Sequence, residues 1–144
     1  MKLHNYVYPD KTYSRHLLYS SLITLIPGLY ALFRKYYDFG IIHIAIVLTS
    51  INYWRDPKIS SWRRYVDILV VNGGICYTIF RSIKCTNQIL FLTFLSVGIV
   101  LYALSKYFNN IKNYDLSVDC HMGLHIIINM GYMILYNAYL TQII

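Results

Sequence analysis

Charge is scarce in this chain: only 13% of its 144 residues are Asp, Glu, Lys or Arg, against roughly 25% in soluble globular domains. A water-facing surface needs polar side chains over most of its area. Here the apolar residues run in blocks too long and too uniform to be half-buried faces. The shortage argues against an ordinary soluble domain and makes lipid the solvent for those blocks. Acidic residues are rarer still, 6 against 13 Lys and Arg. The resulting +7 would suggest nucleic acid in a soluble protein. The basic residues, however, sit in short clusters between apolar blocks, such as Arg34-Lys35 and Arg63-Arg64. No aromatic-basic platform or groove-reading helix accompanies them, so no nucleic-acid partner is expected. Cysteine is sparse too. Cys76, Cys85 and Cys120 are an odd number without a CxxC spacing, which supports neither a disulfide framework nor a thiolate zinc site. A Walker loop, a dinucleotide fingerprint and a serine-hydrolase elbow are all missing.

What the chain has in quantity is apolar sequence, 57% of its residues. Residues 1–16 are polar and aromatic, with Lys2, His4, Lys11, Arg15 and His16, and they read as an interfacial segment with a turn at Pro9-Asp10. The remainder, 17–144, reads as one transmembrane domain of the all-α class, a polytopic helical bundle with about five spans. The expected spans cover residues 17–33, 39–54, 65–80, 89–107 and 121–140. The first closes on Arg34 and Lys35 without a small-x-small cleavage site, which reads as a retained anchor rather than a signal peptide. Pro27-Gly28 predicts a kink in it, and Asn72-Gly73-Gly74 predicts a close helix approach in the third. The polar stretch from Asn109 to Asp119 reads as the loop before the last span. The 16 tyrosines cluster toward span ends, as an aromatic belt requires.

Five spans give the chain an orientation. Lys2, Lys11, Arg15, Arg55, Lys58, Arg63, Arg64, Lys106 and Lys112 fall on one side, and Arg34, Lys35, Arg81 and Lys84 on the other. The positive-inside rule then puts the N-terminus in the cytosol. Integral membrane localisation follows, with the lipid bilayer as the first partner; a homo-oligomer is compatible with the same sequence.

The polar residues that such a chain carries into its spans are costly to place in lipid. In this topology Ser50, Asp67, His121 and His125 come to similar depths at the cytosolic ends of three spans. His121 and His125 stand at i, i+4, so both imidazoles leave one helix face, where they can grip a metal or bond neighbouring helices. Asn129 continues that stripe. On the second span His43, Val47, Ser50 and Trp54 share a face that should look inward, with His43 roughly two turns deeper than Ser50. It reads either as a satisfied core histidine or as a third ligand. Asp67 is expected to pair with Arg63 or Arg64 one turn earlier, and serves either the helix dipole or a metal-bound water. Arg55, Arg63 and Arg64 read as membrane-surface anchors, with lipid phosphate as an alternative ligand.

Taken together, Ser50-Ile51-Asn52-Tyr53-Trp54, Asp67 and the pair His121 and His125 resemble, in order, the pattern of a membrane hydrolase superfamily. That superfamily includes the alkaline ceramidases and the progestin and adiponectin receptors. Its members show Ser-x-x-x-His, then Asp, then His-x-x-x-His, usually in seven spans. The resemblance implies zinc held by three histidines and hydrolysis of a lipid amide or ester by a metal-activated water. Asp67 and Ser50 would be catalytic and His121, His125 and His43 the ligands, since Trp54 stands where the first histidine belongs and cannot bind zinc. Separately, Asn52-Tyr53-Trp54-Arg55-Asp56-Pro57 and Ser61-Trp62-Arg63-Arg64 are similar to stretches in small membrane proteins of large DNA viruses, which suggests a host or virion membrane. Three readings stand open at this point: a non-enzymatic protein that packs in or organises a membrane, the lipid hydrolase, and a pore or transporter lined by the polar stripe.

Overall fold

The computed structural model describes residues 6–83 and 85–139. Lys2, His4, Lys84 and residue 140, the end of the last expected span, lie outside the described residues. The described residues form helices joined by short turns, with one isolated antiparallel bridge between Tyr6 and Lys58. The all-α expectation is met.

The first helix begins inside the expected interfacial segment because Asp10 caps it. One carboxylate oxygen accepts from the Thr12 amide at 2.9 Å and from the Thr12 hydroxyl at 3.0 Å, satisfying an orphan donor of the first turn. From there α1 (Lys11–Ser21), a 3-10 turn (Leu22–Thr24) and α2 (Leu25–Phe33) form one helical rod. The turn is the consequence of Pro27, which has no N–H to donate and whose ring crowds the carbonyl four residues earlier, that of Ile23. The expected kink is therefore a local tightening just before the proline. Then come α3 (Tyr37–Trp54), α4 (Trp62–Ser82), α5 (Gln88–Asn110) and α6 (Tyr114–Tyr139).

The start of α6 corrects the loop expected from Asn109 to Asp119. The turn is only Ile111 to Asn113, and the Asn113 side chain accepts from the Leu116 amide at 3.4 Å. Asn110, Lys112, Asn113, Asp115 and Asp119 are exposed, but Ser117 faces protein: it is fully buried, donates to the Ser105 carbonyl of α5 at 2.9 Å, and meets the Tyr8 hydroxyl at 3.0 Å.

Among the described residues, three helices are long and apolar enough to cross a membrane: the rod Lys11–Phe33, Gln88–Asn110 and Tyr114–Ala138. The rod lies parallel to α6, joined by Ser20 to His125, Thr24 to Asn129 and Tyr30 to Asn137. Small side chains on its inner stripe, Ser14, Ser21, Thr24, Gly28 and Ala31, are buried, which lets the backbones approach. Each remaining helix packs antiparallel on its neighbour in the chain, α2 with α3, α3 with α4, α5 with α6. The exception is α4 with α5, which approach each other at only a few positions.

Two apolar clusters fill the bundle. At the end holding the 34–36 turn, Phe39, Phe91, Leu95, Tyr132, Leu135 and Tyr136 are buried together, with Ile75 and Ile79 of α4 against them. At the opposite end Tyr8, Leu17, Tyr53, Trp54 and Val118 form the second. There the Val7 amide donates to the Pro57 carbonyl at 3.0 Å, so the segment before α1 straps the end of the bundle.

Candidate functional site

Between the clusters lies a partly open cavity of about 270 Å³. Every helix except α2 contributes to its wall. Ser50, Asp67, His121 and His125 all line it, so four of the five site residues expected from the sequence come to one place. The inward face of α3 is also as expected, with His43, Val47, Ser50 and Trp54 all buried.

Asp67 lies in the second turn of α4, where the α3–α4 hairpin carries it against α3. One carboxylate oxygen accepts from the Ser50 hydroxyl at 2.7 Å and from the Thr49 hydroxyl at 3.0 Å. This corrects the expected pairing with Arg63 or Arg64. Arg63 instead stands 3.8 Å from Asp56, and Arg64 donates to the Ile59 carbonyl at 3.0 Å. Antiparallel packing brings the Ser50 turn opposite Asp67, while the two arginines sit nearer the helix start and turn toward the loop. A serine hydroxyl has one hydrogen. Ser50 has committed it to Asp67, so it is not poised to donate to an oxyanion.

The two histidines of α6 are half-buried, with ring centres 5.0 Å apart and planes at 83°. Ser20 donates to the Leu17 carbonyl at 3.1 Å and meets His125 Nδ1 at 2.9 Å. Nδ1 of His125 is thereby engaged, while Nε2 has no hydrogen-bond partner among the described residues. Asn129 braces this turn, donating to the Thr24 hydroxyl at 3.1 Å and to the His125 carbonyl at 2.6 Å. His121 makes no hydrogen bond to any described residue. Its ring is held instead by Trp54, edge-on at 5.4 Å and 82°, and by Tyr102 at 6.1 Å.

His43, the proposed third ligand, is elsewhere. It is 1% exposed, and its Nε2 lies 2.7 Å from the Tyr136 hydroxyl in the apolar end of the bundle. Its extra depth along α3, visible in the sequence, puts it level with Tyr136 rather than with His121. Among the described residues no three His, Cys, Asp or Glu side chains gather closely enough to hold a metal ion. Two imidazoles and a carboxylate occupied by hydroxyls do not make the ligand set that the resemblance implies.

The sequence reading missed several wall residues, Ser21, Thr24, Asn72, Ser105 and Lys106, as well as the partners of His125 and His43, Ser20 and Tyr136. Ser20 and Thr24, at i, i+4 beside a stripe of small residues, carried a usable signal. Lys106 did not, because a lysine in the last turns of a span ordinarily reaches for the headgroups. Here its ammonium lies over the Tyr102 ring at 5.3 Å and lines the cavity with Arg64. In the loop between α3 and α4, Asp56 forms an ion pair with Lys58 at 3.0 Å. That hydrogen bond holds its carboxyl below the ordinary value of 3.8. No protein-family model, curated protein or solved structure matches this chain, so what the cavity does has to be argued from its own chemistry.

Proposed function

We propose that this chain is a multi-pass integral membrane protein with five spans and a cytosolic N-terminus, whose cavity binds a ligand at the cytosolic leaflet without converting it. Although α3 and α4 are less apolar than the other helices, their polar groups are largely used inside the bundle. Their outward residues, Ile41, Leu48, Leu69 and Phe80, are 63–73% exposed and suit lipid. At about 1.5 Å per residue, both helices are near the length that a hydrocarbon core of roughly 30 Å demands.

The observation that carries the binding role is the state of the polar cluster. Ser50, Asp67 and His125 are each held by a partner that fixes them, which suits a preformed recognition surface. Ser50 and Asp67, which hydrolysis would need free, are bonded to each other, and the third imidazole is diverted to Tyr136. A pore draws least support, since a path through one chain would have to cross the plug of Phe91, Leu95 and Tyr132.

Topology is tested by placing a cysteine at Ser60 in a chain whose own three cysteines are serine, then labelling with a membrane-impermeant thiol reagent. Five spans expose position 60 on the same side as the N-terminus. If only the three most apolar helices cross, it labels from the opposite side. The hydrolase remains the second reading because His121 and His125 face one cavity with Asp67. Zinc analysis of purified protein decides it: near-stoichiometric metal, lost in His121→Ala/His125→Ala, would favour hydrolysis over simple binding.

A further inference from the structure

The wall of the bundle is incomplete between α4 and α5. The two helices follow one another in the chain, yet α4 packs on α3 and α5 on α6, and they approach each other at only a few positions. Ile75 and Ile79 of α4 close against the cluster that holds Phe91 and Leu95 of α5. Toward the other end of the bundle, the cavity separates Arg64, Asp67 and Ile68 on α4 from Tyr102, Ser105 and Lys106 on α5. Ile68 and Tyr102 are each 39% exposed while also lining the cavity. The opening therefore faces sideways, into whatever surrounds the bundle.

Two cations flank that opening at one level. Arg64 precedes Ile75 by as many residues as Lys106 follows Leu95, so each stands roughly 16 Å along its helix from the closed end. Neither forms an ion pair with a described residue: Arg64 has the Ile59 carbonyl and Lys106 the Tyr102 ring. Asp67 is the one acid in the wall, and its charge is already met by Ser50 and Thr49. Cations in a membrane interior are expensive without a counter-charge. Below them most of the wall is apolar, with Val71, Ile75, Ile99, Leu124 and Ile128, and the polar Asn129 and Thr24 are bonded to each other.

Resting on the binding role proposed above, we infer that the cavity receives the headgroup of an anionic phospholipid, entering from the bilayer between α4 and α5, with Arg64 and Lys106 clamping its phosphate. The charge order fits such an amphiphile from end to end. Its phosphate lies between the two cations, its glycerol backbone lies beside Asn72 and His121, and the first methylenes meet the apolar floor. A cavity of about 270 Å³ holds a headgroup but not two acyl chains. The tails then stay in the bilayer, which a sideways opening permits and an end-on opening would not.

The test uses the full chain in detergent micelles, with lipid retention read by native mass spectrometry and by thermal shift. Phosphatidic acid, phosphatidylserine, phosphatidylcholine and soluble glycerol phosphate are compared. The expected order is retention of both anionic lipids, weak retention of phosphatidylcholine and none of glycerol phosphate, with affinity falling as salt rises. Arg64→Gln and Lys106→Gln should each weaken phosphatidic acid about fivefold, and together about thirtyfold. Arg64→Lys/Lys106→Arg should keep most of the binding. A bifunctional thiol crosslink between Ile68→Cys and Tyr102→Cys, made before lipid is added in the cysteine-free chain, should block loading. Should the Gln variants fail to fold, headgroup selectivity and salt dependence of the unaltered chain decide. Equal retention of phosphatidylcholine and phosphatidic acid, or full anionic-lipid binding by a folded double variant, overturns the inference. Binding of glycerol phosphate as tightly as lipid overturns the lipid source but leaves a binding cavity. Retention of none of the four ligands overturns both the inference and the binding role.

Discussion

Gly28 and Gly73 give opposite answers to the same substitution, and the difference measures how far this bundle depends on backbone approach. A methyl group at Gly28 would lie 2.7 Å from the His43 Cβ, where 3.4 Å begins ordinary contact. The Cβ of His43 is fixed to its backbone and cannot rotate away, so α2 and α3 must part by the balance. Gaps of roughly 0.5–1 Å forfeit a quarter to a half of the dispersion energy along a contact, and overpacking of this kind costs about 1–3 kcal/mol. Alanine returns up to about 1 kcal/mol of helix propensity. The net expectation for Gly28→Ala is destabilisation by roughly 1–2 kcal/mol. At Gly73 an added Cβ meets nothing within 4 Å, so only propensity acts, and Gly73→Ala should stabilise by about 0.5–1 kcal/mol. Reversible unfolding in mixed micelles, followed by circular dichroism along a denaturing-detergent titration, reads both. Gly28→Ala proving as stable as the unaltered chain would refute the packing argument. So would the two alanine variants shifting together.

Three further outcomes follow from the polar contacts. Ser50→Ala removes a hydroxyl that donates to the Asp67 carboxylate at 2.7 Å; bonds to charged groups contribute about 1.5–3 kcal/mol, and the same unfolding assay should show a loss in that range. Tyr136→Phe takes away the one hydrogen-bond partner that His43 has among the described residues, its Nδ1 being already unpaired. It should cost about 1–3 kcal/mol while leaving ligand binding in the cavity unchanged, a split that separates the two histidine environments. The strap over the bundle end should loosen in acid. The Asp56 carboxyl is held below 3.8, so its contribution is complete above that pH and is lost as pH falls through the lower folded value. Protection of the Val7 amide, bonded to Pro57 beside this pair, should fall in that window after correction for intrinsic exchange. Unchanged protection would show that the pair does not hold the strap.

The element pattern was legible because it depends on local chemistry. Helix positions followed from apolar runs bounded by basic clusters, and each expected span lies within an observed helix as far as the described residues reach. The errors came at ends. Asp10 lengthened the first helix by capping it, and Asn113 began α6 earlier than the polarity of Asn109 to Asp119 suggested, because Ser117 found buried partners in Ser105 and Tyr8. Gly74, but not Gly73, was the close-approach glycine, a distinction of helix face that a dipeptide does not carry.

For the site, the sequence by itself determined depth. Rise per residue and span boundaries were enough to put Ser50, Asp67, His121 and His125 at a common level and His43 below them. Tertiary structure alone decided who bonds to whom. Asp67 took the hydroxyls of α3 instead of the nearby arginines, His43 took Tyr136, and Lys106 turned toward a cavity rather than toward water. Depth adds up along one helix, whereas a partner depends on the rotation of two helices about their own axes. In this bundle that rotation is set by small residues on facing stripes, which are spread along the chain and act only once the helices meet.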